Sequence, residues 1–184
     1  MQAHRFQASV LLIVGYEWLV SGLDKALAHD FVHGLAGELE AAARGLPYGF
    51  YADLLSRVFV PHAQLFAWLV MVGELTSGAL LLAMGAIAWF RPLSPVQKAI
   101  TAAVLGVASF MVLNFFFFQG GSYFINPSDP YDEGIPVDFV LFWIQIGLMI
   151  AILRKNSRDE VIQASLSSVQ RDERFHRTHG GMSK

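Results

Sequence analysis

From His62 to Ala88 the chain reads "HAQLFAWLVMVGELTSGALLLAMGAIA", and beyond the leading histidine its one ionisable side chain is that of Glu74. A helix needs about 20 mostly apolar residues to cross a bilayer. Backbone polar groups in lipid must find partners within the protein, so such a stretch is read as a spanning helix. Three more stretches share its character: about Phe6 to Leu27, about Lys98 to Gln119, and about Ile135 to Leu153. Pro61, Pro92, Pro95 and Pro136 mark the ends of spans, where a missing backbone N–H costs least. The expected fold is an all-α integral membrane protein built as a four-helix transmembrane bundle. Composition agrees. The 184 residues are 54% hydrophobic and 15% charged, against about 25% charged in an average globular chain. There is no cysteine. Disulfides, Cys-ligated metals and iron–sulfur clusters in this chain are therefore excluded. No metal or flavin motif is visible, and the expected surroundings are a lipid bilayer rather than nucleic acid.

Charge asymmetry orients the spans. With both termini cytoplasmic, the inner side carries Arg5, Arg91, Lys98, Arg154, Lys155 and Arg158, and the outer side only Lys25, Arg44 and Arg57. Asp24, Asp30, Glu38, Glu40, Asp53, Asp129, Asp132, Glu133 and Asp138 then fall outside. The expectation is N-in and C-in, a multi-pass protein of a bacterial or archaeal cytoplasmic (inner) membrane. "ALA" at 26–28 has the small-x-small form of a signal cleavage site. Glu17, Asp24 and Lys25 suit a signal peptide poorly, so the stretch is expected to be retained as the first span.

Residues 1–156 form the expected membrane domain, and 157–184 a polar cytoplasmic tail with one helix from about Arg158 to Arg174. Between spans one and two lies an extracytoplasmic segment, expected to form an outer helical cap over residues 29–60. In "FVHGLAGELEAAA", Phe31, Leu35 and Leu39 recur every fourth residue, the pattern of an amphipathic helix lying in the membrane interface. A second short apolar helix follows within "LPYGFYADLLSRVF", whose Tyr48, Phe50 and Tyr51 suit the headgroup zone. The second outer loop, "GGSYFINPSDPYDEGIP", is a run of turn formers and acids.

Acids inside a span are costly, about 2.5–3.5 kcal/mol at the centre on insertion scales, and are functional candidates by default. Glu17 and Glu74 both fall near mid-membrane by residue count and are expected to share a site. If close, the two would tend to share a proton. Glu17, Ser21 and Asp24 form a stripe at i, i+4, i+7, bordered by Lys25. Asn114 and Gln145 lie in the outer halves of their spans, and His62 stands where the second span begins. Asn114 and Gln145 more readily serve as helix–helix hydrogen bonders. Asp24 and Lys25 could equally form a local ion pair. The outward position of these groups predicts a polar pocket opening to the outside. Gly73 and Ser77, with Ala102, Gly106 and Ser109, give small faces for close helix contact. The run Phe115 to Phe118 is expected to pack against lipid or other helices.

"GYEWLVSGLDK" (15–25), "VPHAQLFAWLVMVGELTSGALLLAMG" (60–85) and the intervening "PYGFY" resemble the DoxX-like family. The nearest likeness is to its DoxD branch, the large subunit of thiosulfate:quinone oxidoreductase. The matching positions are Gly15, Ser21, Gly22 and Lys25 in the first span and Gly73, Glu74 and Leu75 in the second. The resemblance covers the first half well and the rest by topology. It implies four membrane helices and a quinone-linked oxidoreductase subunit, with thiosulfate oxidised outside and a second, separate subunit in the membrane or periplasm. In that setting Lys25, with Arg57 and His62, would attract the anion. Glu17 and Glu74 would carry quinone-linked protons, and Ser21, Asp24 and Asn114 would line the polar track. The alternative is a non-catalytic accessory subunit that stabilises a larger respiratory or photosynthetic complex. A small-solute transporter is a third, weaker possibility, because the spans lack broken helices and an inverted repeat.

The topology is tested by cysteine labelling in this cysteine-free background. Glu40→Cys and Pro130→Cys are expected to react from outside and Ser94→Cys from inside; the reverse pattern overturns the orientation.

Overall fold

The computed structural model describes residues 2–28, 30–120 and 137–154, and all of its regular structure is helical. Four helices are long and apolar enough to span a membrane. They are α1 (Gln2–Leu27), α4 (Ala63–Phe90), α5 (Pro95–Phe118) and α6 (Val137–Arg154). Two shorter helices, α2 (Phe31–Gly45) and α3 (Gly49–Leu54), sit between α1 and α4. The second outer loop and the tail, with its expected helix, lie outside the described residues.

α1 has 26 residues and α4 has 28, or roughly 40 Å each at 1.5 Å per residue. Both exceed the roughly 30 Å hydrocarbon core. α5 begins where the sequence stops it from beginning earlier. Ser94 accepts a hydrogen bond from Gln97 N, Gln97 Oε1 accepts one from Ser94 N, and Pro95 supplies a first-turn residue without a donor. α4 is entered less regularly. A π-helical turn (Leu55–Phe59) and a 3₁₀ turn (Val60–His62) carry the chain past Pro61, whose ring cannot sit in an undisturbed α-helical ladder.

α4 lies along α1 over most of its length and touches α5 over far less. Glycines set that difference. A Cβ on Gly15 would stand 2.7 Å from Leu82 N, one on Gly22 2.8 Å from Leu75 N, and one on Gly85 2.9 Å from Leu12 Cγ. On Gly78 it would strike the backbone of Leu19. Two glycines spaced by seven on each helix thus form one antiparallel contact line. They let two backbones meet where no larger residue fits. Gly73, by contrast, faces α5, with Met111 Sδ 3.1 Å from a Cβ built on it.

Two apolar clusters complete the bundle. The central one joins Leu11, Val14 and Trp18 of α1 to Leu81, Leu105, Ala108, Val112, Leu148 and Ile152. The second, at one end, joins Leu39 of α2 to Tyr51, Leu55 and Ala63, with Phe117 and Phe118 of α5 packed on it. α2 is therefore amphipathic as expected, and its apolar stripe faces protein: Leu39 is buried and Leu35 packs beside it, while Phe31 is half-buried. It caps this end of the bundle, resting on Leu55 and Ala63. Tyr51 is likewise buried in protein, and its hydroxyl donates to Asn114 O at 3.0 Å.

Gly78→Val is expected to destabilise the bundle by about 3 kcal/mol through overpacking against backbone. Gly147→Ala, where an added Cβ meets nothing within 4 Å, should stay within about 0.5 kcal/mol. Reversible unfolding in mixed detergent micelles measures both.

Candidate functional site

The glycine register brings the C-terminal end of α1 against the N-terminal half of α4. It sets Gly22 beside Leu75 and Glu74. One turn later Lys25 reaches across, and its Nζ lies 2.9 Å from Glu74 Oε2. Glu74 is fully buried, whereas the Lys25 side chain keeps 24% exposure. Lys25 Nζ also donates to Ser21 Oγ at 2.8 Å. The rings of Phe31 and Phe115 flank it, each with its centroid 5.8 Å from Nζ, close enough for cation–π attraction. The lysine is thus held from four directions. Its partner is not the adjacent Asp24, which points away and is exposed. Glu74 Oε1 has no hydrogen-bond partner among the described residues.

Lys25 lines a chamber of about 340 Å³ at the capped end of the bundle. Its floor is Glu17, Trp18 and Ser21 of α1. Its roof is Phe31, Leu35 and Leu39 of α2, and its sides are Phe66 and Val70 of α4, Asn114 and Phe115 of α5, and Asp138 and Leu141 of α6. A second cavity of about 670 Å³ runs between α4 and α5 and is almost wholly apolar. Phe59, Phe66, Val70, Asn114 and Phe115 belong to both. Both volumes fall within the roughly 300–1,000 Å³ of small-molecule sites.

The expected residues distribute unevenly. Glu17, Lys25, Ser21 and Asn114 line the chamber. Glu74 does not; it stands behind Lys25 as its buried counter-ion. Glu17 and Glu74 are also not at one depth. The register places Glu74 opposite the segment around Gly22 and Leu23, about 9 Å along the axis from Glu17. Equal counting from the outer span ends misses this because those ends are not level: the register carries Ala63, where α4 begins, about 10 Å beyond Leu27, where α1 ends. Arg57 and His62 lie outside the chamber and are exposed; Arg57 pairs weakly with Asp53 at 3.8 Å on its own turn. Asn114 holds the cap: its Nδ2 donates to Phe110 O at 2.7 Å, and its Oδ1 lies 3.3 Å from the Tyr51 hydroxyl. Gln145 is buried deeper, with Oε1 3.3 Å from Ser109 Oγ, a contact between α5 and α6.

Three lining groups carry no such expectation. Asp138, an acid of the outer side by charge asymmetry, sits in the first turn of α6 and lines the chamber. The signal was present, because Asp138 lies inside the apolar stretch that begins near Ile135. Trp18 is 2% exposed, and its Nε1 has no hydrogen-bond partner among the described residues. Phe115 and Phe118, from the aromatic run, also line the chamber.

Chemically, the chamber holds one fixed ammonium, already matched by Glu74, and two further carboxyl groups, Glu17 and Asp138. Among the described residues no other basic side chain lines it. It can donate a hydrogen bond from Lys25, hold protons on two acids, and stack a flat ring among Phe31, Phe66 and Phe115. Among the described residues no cluster of His, Asp or Glu could hold a metal ion. Searches against family models, curated proteins and solved structures return no match.

The ion pair makes a double-mutant test. Lys25→Met or Glu74→Met alone strands a charge inside the bundle and should cost on the order of 3 kcal/mol. The double variant should recover most of that, since two apolar side chains of similar reach replace the pair. Additive losses in detergent unfolding would mean that the pair does not form.

Proposed function

We propose that the chain is the membrane subunit of a quinone-linked oxidoreductase of the DoxD kind, and that the chamber at its capped end receives the quinone head. One observation carries this reading. A mainly apolar chamber in which Lys25, Glu17, Ser21 and Asp138 converge lies beside an almost wholly apolar groove between two spanning helices, an arrangement suited to a ligand with a hydrogen-bonding ring at one end and a lipid-soluble chain at the other. A bound quinone supplies two-electron, two-proton acceptor chemistry. Lys25 is the group that hydrogen-bonds its head, held in place by Glu74 and Ser21. Glu17 and Asp138 hold the protons, and α2 with its Phe31, Leu35 and Leu39 shields the chamber from outside water.

Electrons come from a small reduced-sulfur anion, thiosulfate in the DoxD reading, oxidised at a partner subunit on the outer face. The chamber itself is a poor place for that dianion. Lys25, the one cation among its described lining residues, is already neutralised, and the Glu17 and Asp138 carboxyl groups face the space. Anion capture through Arg57 and His62 has no geometric support, because neither lines the chamber. Glu74 becomes a positioning residue for Lys25, not a proton carrier. The membrane in this reading is the bacterial or archaeal cytoplasmic membrane, with the cap outside.

Glu17→Gln and Asp138→Asn preserve shape and hydrogen bonding but cannot ionise. Each should lower quinone reduction per assembled complex by about 10²-fold, as for a lost acid–base group, with thiosulfate as donor. Full turnover in both variants at normal assembly would end the catalytic reading and leave an accessory subunit of a larger complex.

A further inference from the structure

We infer that the groove between α4 and α5 holds the hydrocarbon tail of the amphiphile whose head occupies the chamber. The ligand then reaches the site sideways from the bilayer and not from the water above the cap. The inference rests on the chamber being the head-group site proposed above.

The groove follows from the helix spacing. α4 is drawn against α1 by glycines, and α5 is left at a distance along the opposite face. Lining residues on α4 run from Phe66 to Leu80, about 21 Å at 1.5 Å per residue. That is a long, narrow space, suited to an extended chain and too long for a compact head. Its margins are lipid-facing: Leu69, Val72, Val107 and Phe110 are all more than half exposed. Thr76 and Ala103 also line it and are exposed. Met111, a flexible side chain, lies over Gly73 within it.

Adjacency to the chamber selects the occupant. A groove filled by bulk lipid alone needs no connection to a buried ion pair. A second protein helix would gain little there, since apolar burial does not drive helix association in lipid. Phe59, Phe66, Val70, Asn114 and Phe115 line both cavities, so the two spaces adjoin across these side chains. Asn114 is the polar residue at that junction, so the boundary between head and tail falls at its level. A single prenyl or alkyl chain attached to a hydrogen-bonding ring satisfies both spaces at once.

The test uses the full chain in lipid nanodiscs, with Trp68, Trp89 and Trp143 changed to Phe. Trp18, in the chamber wall, is then the sole tryptophan of the four. The probes are decylubiquinone and its tailless analogue 2,3-dimethoxy-5-methyl-1,4-benzoquinone, each expected to quench Trp18 saturably. Thr76→Phe with Ala103→Phe fills the groove from its exposed margins. It should raise the half-quenching concentration of the decyl compound by about tenfold, the scale of a modest steric clash. The tailless compound should change less than twofold. A decyl response that the double variant leaves unchanged would overturn the tail channel while the head-group site stands. An equal shift for both probes would also overturn it, placing the effect on the head. If neither probe quenches Trp18 saturably, the chamber fails as a quinone site and the tail channel fails with it.

Discussion

Everything at the capped end depends on how closely α1 can approach α4. Gly15 and Gly22 on one helix and Gly78 and Gly85 on the other remove the side chains that would hold the backbones apart. In lipid this matters more than in water, because no hydrophobic force draws helices together and contact must come from close packing. The approach also fixes the register. With Gly22 at the level of Glu74, Lys25 is within reach of that carboxyl across the interface. A change of one helical turn would leave a charged group facing hydrocarbon. Close contact on one side of α4 leaves room on the other, and that room is the groove toward α5.

The ion pair then decides what the chamber can be. A lone ammonium in such a place would attract anions. An ammonium already matched by a buried carboxylate is better described as a fixed hydrogen-bond donor with little net charge. Ser21 and two aromatic rings hold its direction. Glu17 and Asp138 add proton capacity from two other sides of the space. The result is a chamber with one fixed hydrogen-bond donor and two carboxyl groups among its described residues, roofed by α2 and walled by aromatic rings. The same helix, α2, joins the Leu39, Tyr51, Leu55 and Ala63 cluster, so the roof is anchored to the spanning helices and not left on the membrane surface.

The four spans were legible because lipid imposes a simple rule on composition and length, and their ends agree with the flanking prolines to within a few residues. The polar residues were legible as unusual, since Glu17, Lys25 and Glu74 interrupt otherwise apolar runs. Their pairing was not. Sequence spacing gives the face of one helix, but the partner depends on register between two helices. Here the register is set by glycines at 15, 22, 78 and 85, whose common seven-residue spacing is visible only when α1 and α4 are compared. Asp24 and Lys25 show the consequence: neighbours in sequence, they point to different surroundings. Asp138 escaped because charge asymmetry marks it only as an acid of the outer side, although the apolar stretch already enclosed it. The cap over residues 29–60 was legible as helix, but what its apolar face meets was not: an amphipathic helix has the same pattern over headgroups and over protein, and here Leu55, Ala63 and Phe118 pack against it.

The central claim is that the chamber beside Lys25 retains a membrane-borne amphiphile. Native mass spectrometry of the chain, extracted from its own membrane in mild detergent, tests this directly. The account predicts one small lipid-soluble ligand per folded wild-type chain, released from a folded Lys25→Met/Glu74→Met variant that lacks the fixed donor. A folded wild-type chain that carries none, or a double variant that keeps the same ligand at the same occupancy, would contradict it.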